Sequence, residues 1–289
     1  MFTFAQPFDP LRVATFTHNF HQHPLAQLDS LRDLARRLQA AGTDKVKFIN
    51  PSTREDSRFV LATESFDGKS IDQVFDDLHQ PGSWIAIYEA RTDSIYAEFI
   101  DSVIGAADGV TGDGDLEIFD SDAYIFISSA PSVTPFHIDR ENNFWLQLSG
   151  TKRLTVWDPE DRSVVSQKAV EGWIVRSSLA GVHYSGEDTA VVNQEIVAGS
   201  GVFMPSTSPH MTNTETSGQI SVSVGVVYYS RRTRRNANIH ALNAVLRKLG
   251  LEPTAPGERP LLDKLKYPIG WLAIRVFDKL GVISMPRGF

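Results

Sequence analysis

Residues 133–156 read VTPFHIDRENNFWLQLSGTKRLTV, and the architecture and chemistry of the chain both turn on this run. It parses as short strands separated by a polar turn at Arg140–Asn142 and a glycine turn at Gly150. Side chains alternate faces along a strand, so His137 and Asp139 point the same way and can grip one ion. Alone, such a pair serves hydrogen bonding as readily as metal. The texture continues outward from Tyr124, with short apolar stretches at 124–128, 133–138, 143–148, 152–157, 190–197, 201–204 and 219–229, punctuated by Gly, Pro, Asn and Asp. Repeated short strands of this kind predict a sandwich or barrel.

The flanks are different. Residues 24–41 carry Leu28, Leu31, Leu34 or Ala35, and Leu38 at the spacing of one apolar helix face. Val46–Ile49 and Trp84–Tyr88 read as strands, and 70–78 and 92–104 as helices, so the first third is mixed α and β. The tract HNFHQH, His18 to His23, concentrates three histidines; it fits helix caps and surface contacts better than metal. GVTGDGD, residues 109–115, lacks the ligand alternation of a calcium loop and reads as a turn. After Tyr229 helical spacing returns, with Ile239, Leu242, Val245, Leu246 and Leu249 on one face, Gly250 as a stop, and a last helix over about 261–280 beyond a Pro-rich link. This apolar C-terminal pair either packs on its own barrel or forms a homodimer.

Composition narrows the chemistry. The chain has 289 residues and no cysteine, which excludes disulfides, thiolate metal sites and cysteine nucleophiles. Any metal is held by His and carboxylate. The net charge of −7 is uneven: 12 Lys/Arg against 4 Asp/Glu from Arg231 onward, and 16 against 31 before it. The acidic body has no basic groove for nucleic acid. No signal-peptide pattern or long apolar span is read, so a cytoplasmic protein without membrane attachment is expected.

A third ligand follows from the segment GVFMPSTSPH, 201–210. His210 at its end would complete a 2-His-1-carboxylate set with His137 and Asp139, a donor set that suits non-haem Fe(II) and leaves positions open. Lys152 shares a strand face with Leu154 and Val156; if those point inward so does the ammonium, and a buried cation requires an anion. The alternative is a strand-end lysine reaching to solvent.

On Thr134, Pro135, His137, Asp139, Asn143, Gly150, Lys152, Arg153 and Pro159 the chain resembles the Jumonji-C or cupin-like Fe(II)- and 2-oxoglutarate-dependent oxygenases, nearest in motif to their asparaginyl-hydroxylase branch. The resemblance spans about 124–229. It implies a double-stranded β-helix (jelly-roll) core, with His137, Asp139 and His210 as catalytic iron ligands. It also implies 2-oxoglutarate as co-substrate, its distal carboxylate on Lys152 with a hydrogen bond from Thr134. Asn143 either bridges co-substrate and metal ligand or caps the preceding turn. Thr134 lies an odd number of residues before His137, so sharing a face requires a bulge, for which Pro135 is suited. Tyr88, Tyr124, Trp145 and His183 are candidates for pocket lining. The branch pattern is broken at Gly225, where an amide is usual, and at Ser208 and Pro209, where aromatics are usual.

The expected organisation is therefore an α/β N-terminal extension (1–115), a catalytic β-helix (116–230) and C-terminal helices (231–289). The expected activity is hydroxylation of a carbon on a peptide or protein side chain. Alternatives are a small-metabolite hydroxylase and a non-catalytic cupin that senses metal or ligand.

Overall fold

The computed structural model describes residues 1–49, 68–110, 116–186, 189–215 and 219–279. Its strands are β1 (Phe2–Phe4), β2 (Ala14–His18), β3 (Val46–Ile49), β4 (Trp84–Ile87), β5 (Ile118–Ser129), β6 (Ser132–His137), β7 (Asn142–Ser149), β8 (Thr151–Val156), β9 (Val192–Val197), β10 (Ser200–Met204), β11 (His210–Thr214) and β12 (Ile220–Ser230). Its α-helices are α1 (Leu28–Ala40), α2 (Ile71–Asp76), α3 (Ser94–Asp108), α4 (Gln167–Arg176), α5 (Arg231–Lys248) and α6 (Pro260–Lys279).

The strands form two antiparallel sheets, ordered β1-β2-β10-β7-β12-β5-β4-β3 and β6-β11-β8-β9. From β5 onward the chain winds between them, leaving β5, β7, β10 and β12 in the larger sheet and β6, β8, β9 and β11 in the smaller. That is a double-stranded β-helix. The N-terminal strands widen the larger sheet at both edges: β4 pairs with β5, and β2 with β10.

Three apolar clusters follow from strand alternation. The outward faces of β5, β7 and β12 (Ile125, Phe144, Leu146, Val224, Val226) bury against Leu31 and Leu34 of α1 and Phe99 and Ile100 of α3. The outward face of the smaller sheet (Phe136, Trp157, Met211) is covered by α4, by Ala237 and Ala241 of α5, and by Ile274 of α6. The third cluster, Trp145, Leu154, Val156, Val192, Ile196, Val202 and Met204, lies between the sheets. The turn joining β7 to β8 requires Gly150, which has φ +62° and where a Cβ would come within 2.6 Å of the Ile220 carbonyl oxygen.

Four elements escape the sequence reading. β1 and β2 are short, and α4 lies in a stretch the sequence reading leaves as connection. β11 (HMTNT) is polar because three of its residues face the barrel interior, so it lacks a strand's apolar signature. The histidine tract behaves as caps and contacts: His23 Nδ1 accepts from Leu25 N at 3.2 Å, and buried His18 Nε2 meets Ser200 O at 3.1 Å. Of the Gly109–Asp115 turn, residues 111–115 lie outside the described residues. The C-terminal helices pack on their own barrel, yet α6 keeps Leu261, Leu265, Ile269, Leu272 and Val276 exposed. No helix among the described residues is long and apolar enough to cross a membrane.

Candidate metal centre and its pocket

His137 ends β6 and His210 opens β11, and the two are directly paired across the ladder. Asp139 follows in the turn after β6. Its carboxylate lies 3.8 Å from His137 Nε2 and 3.5 Å from His210 Nε2, and the donor atoms of the three all fall within 4.8 Å. No other group of three or more His, Asp or Glu gathers in this way among the described residues.

Both imidazoles are turned by the backbone. His137 Nδ1 lies 2.7 Å from the Pro135 carbonyl and His210 Nδ1 3.0 Å from the Ser208 carbonyl. A carbonyl only accepts, so Nδ1 carries the proton and Nε2 offers its lone pair to the site, the arrangement of ligating histidines. Burial, with His210 beside it, pushes the His137 imidazole down to about 4, keeping it neutral. Two imidazoles and one carboxylate gathered in this way fit Fe(II).

The turns carrying the ligands are stitched together. Thr207 N donates to Asp139 O (2.8 Å), Ser206 Oγ to Arg140 O (2.7 Å) and Ser206 N to Asn142 Oδ1 (3.0 Å). Thr207 holds φ +66°, an unfavourable region for a β-branched residue. Ser208, where the branch pattern expects an aromatic, supplies the carbonyl that orients His210. Arg140 turns away from the metal ligands, its guanidinium over the Trp173 ring at 4.5 Å.

The bulge expected at Pro135 is present. His210 pairs with His137 but Thr212 pairs with Thr134, three residues back against two, so the extra residue sits in β6. Thr134 thereby returns to the face of His137. Lys152 is 3% exposed, on the inward face of β8 with Leu154 and Val156. Among the described residues no carboxylate contacts it; burial alone pushes its ammonium down to about 8. Val156 pairs with His210, so Lys152 lies four residues farther along β8, roughly 13 Å at 3.3 Å per residue.

Polar groups join the apolar cluster in this interior. Asn143, Trp145 and Gln147 of β7 face inward, as do Ser223 and Gly225 of β12. Asn143 Oδ1, Gln147 Oε1 and Ser223 Oγ are buried without hydrogen-bond partners among the described residues, a concentration that folded proteins rarely tolerate unless a ligand or water meets it. Among the described residues the Asn143 side chain makes no hydrogen bond to the preceding turn, and it is Asn142 that ties this turn to Ser206 N. Gln147 and Ser223 were absent from the sequence-based candidates, although alternation from Asn143 leads to Gln147.

Of the lining candidates, Trp145 belongs to the interior cluster and Tyr124 faces inward, opposite Gly225, with Tyr88 packed on it at 5.8 Å. Burial, then Glu141, Asp122 and Asp139, raise the Tyr124 hydroxyl above its ordinary value. Glu141, raised by burial and by Asp139, accepts from Tyr229 OH at 2.6 Å. His183 is exposed on the α4–β9 connection, so it does not line the interior.

No protein-family model matches the chain, and no curated protein does. Among solved structures, the ribosomal oxygenase YcfD from Escherichia coli is similar with a TM-score of 0.46 and 15% identity over 96% of this chain and 68% of that one. Its complex with cobalt and 2-oxoglutarate gives 0.47 and 15% over the same shares. A Pseudomonas putida prolyl-4-hydroxylase gives 0.39 and 13% over 76% of this chain and 92% of that one.

Proposed function

We propose that the chain is an Fe(II)- and 2-oxoglutarate-dependent oxygenase that hydroxylates a carbon of a polypeptide side chain. One observation carries the reading: a buried lysine with no anionic partner among the described residues shares an interior with a 2-His-1-carboxylate set. A structural metal site has no use for that cation, whereas an elongated dicarboxylate reaching from the metal toward Lys152 satisfies both ends of the pocket. The orphaned polar atoms along the way suit the same guest.

When bound, iron with 2-oxoglutarate supplies the oxidising chemistry, with succinate and carbon dioxide as co-products. The protein's residues bind and exclude. His137, Asp139 and His210 hold the metal, with the Pro135 and Ser208 carbonyls fixing both imidazoles. Lys152 anchors the distal carboxylate in its protonated form, assisted by Thr134, and Asn143 contributes an amide contact midway. Leu154, Trp145 and Met204 wall this space with apolar surface and keep water from it.

The polypeptide substrate is favoured by the motif resemblance of residues 133–159 to the asparaginyl-hydroxylase branch. The exposed α6 stripe, spaced four, four, three and four residues apart, suits a second copy packed as a helical seam, and we assign the chain a homodimer on that basis. Under air with Fe(II), the protein is expected to convert 2-oxoglutarate to succinate, and His137→Ala to abolish this. Wild type that binds metal yet neither binds nor consumes 2-oxoglutarate would instead be a non-catalytic metal-binding cupin.

A further inference from the structure

Gly225 lies opposite Tyr124 on one neighbouring strand and opposite Trp145 on the other, all three on the inward face of the larger sheet. Two rings thus flank a position with no side chain, and the gap is occupied. A Cβ built on Gly225 would stand 2.9 Å from Asn143 Oδ1, 3.0 Å from its Nδ2 and 3.3 Å from its Cγ. Real Cβ atoms essentially never approach another atom closer than 3.0 Å, so any other residue at 225 displaces the Asn143 amide. The backbone does not demand glycine here, since Gly225 lies outside the positive-φ glycines. What the glycine provides is room.

The amide that uses this room is buried and its Oδ1 has no partner among the described residues. Oxygen and nitrogen of an amide exchange places by a flip, so either a donor or an acceptor can be presented there. Asn143 is also in phase with Trp145 and Gln147 on the inward face of β7.

We infer that Gly225 is a positioning residue for the co-substrate: its missing side chain lets the Asn143 amide lie across β12, and only from there does the amide reach the bound 2-oxo acid. The inference rests on the 2-oxoglutarate reading above. It separates Gly225 from a structural glycine, because its effect passes through one side chain.

The test is a double-mutant cycle on Mn(II)-loaded protein, with 2-oxoglutarate affinity read by calorimetry and Mn(II) affinity read alongside. Gly225→Ala and Asn143→Ala are each expected to weaken 2-oxoglutarate about tenfold, the loss of one hydrogen bond, while sparing Mn(II). The double variant is expected to bind no more weakly than Asn143→Ala alone. Gly225→Ala with wild-type affinity, or a double variant showing the product of both losses, overturns the inference. If Gly225→Ala does not fold, Asn143→Ala against the double variant still decides, with equal affinity supporting it and a further loss overturning it. Wild type that takes Mn(II) but no 2-oxoglutarate sinks the co-substrate reading itself. An indifferent Gly225→Ala beside a wild type that binds sinks only this inference.

Discussion

The two faces of β7 and β12 belong to the same backbone and do opposite jobs. Outward, Phe144, Leu146, Val224 and Val226 interlock with the helices of the N-terminal third, and Phe144 stacks on Phe2 and Tyr228 at centroid distances of 5.2 and 5.8 Å. Inward, Asn143, Gln147 and Ser223 present side-chain oxygens without partners among the described residues, Gly225 presents no side chain, and Lys152 is buried on the facing sheet. A one-residue step along the strand exchanges a well-packed core for a set of groups that the isolated chain leaves unsatisfied. Apolar packing is concentrated on the outward face, and the polar groups suited to hold a ligand lie on the inward one.

The sharpest way to break this contrast is by truncation on the outward face. Phe144→Ala is expected to cost about 3–5 kcal/mol by urea unfolding, whereas Asn143→Ala, its neighbour, is expected to leave stability nearly unchanged.

Lys152 sharpens it by pH. Below about pH 8 the lysine is protonated in both folded and unfolded chains. Between about 8 and its ordinary 10.5 the unfolded chain holds a proton that the folded protein has released, so stability rises with pH across that window. The rise is expected to reach at most about 3 kcal/mol. Lys152→Met should remove it and match or exceed wild-type stability at pH 7, since the unpaired charge is gone. Denaturant midpoints of both proteins from pH 7 to 10.5 check this; parallel curves would mean that Lys152 is not the group concerned. Co-substrate affinity, which needs the charged lysine, should fall over the same window.

A smaller effect separates adjacent positions of β12. Val224→Ala is expected to cost about 2 kcal/mol and Ser223→Ala to stay within about 0.5 kcal/mol, because Ser223 Oγ has no partner to lose. Equal losses at both positions would deny that the faces differ.

The sequence made the outward-facing half of this arrangement easy to read. Apolar periodicity marked α1, α2, α3 and most barrel strands, and Lys152 was legible through the face it shares with Leu154 and Val156; strand period paired His137 with Asp139, although β6 ends at His137 and Asp139 stands in the turn that follows. The exceptions come from the same physics. β11 faces a polar interior, so its HMTNT carries no apolar signal, and Thr134 keeps company with His137 only through a bulge that Pro135 hints at without fixing. Gly225 read as a missing amide. Its meaning needed the three-dimensional fact that Asn143 fills the space it leaves.

The central claim is that metal ligands and Lys152 are two ends of one co-substrate pocket, and anaerobic titration of Fe(II)-loaded protein with 2-oxoglutarate tests it most directly. Wild type should develop a metal-to-ligand charge-transfer absorption band. Lys152→Met should need about 30-fold or more 2-oxoglutarate to reach the same band, as expected when one partner of a buried charge pair is removed, with Fe(II) affinity unchanged. A wild type without the band, or a Lys152→Met variant that titrates like wild type, would contradict it.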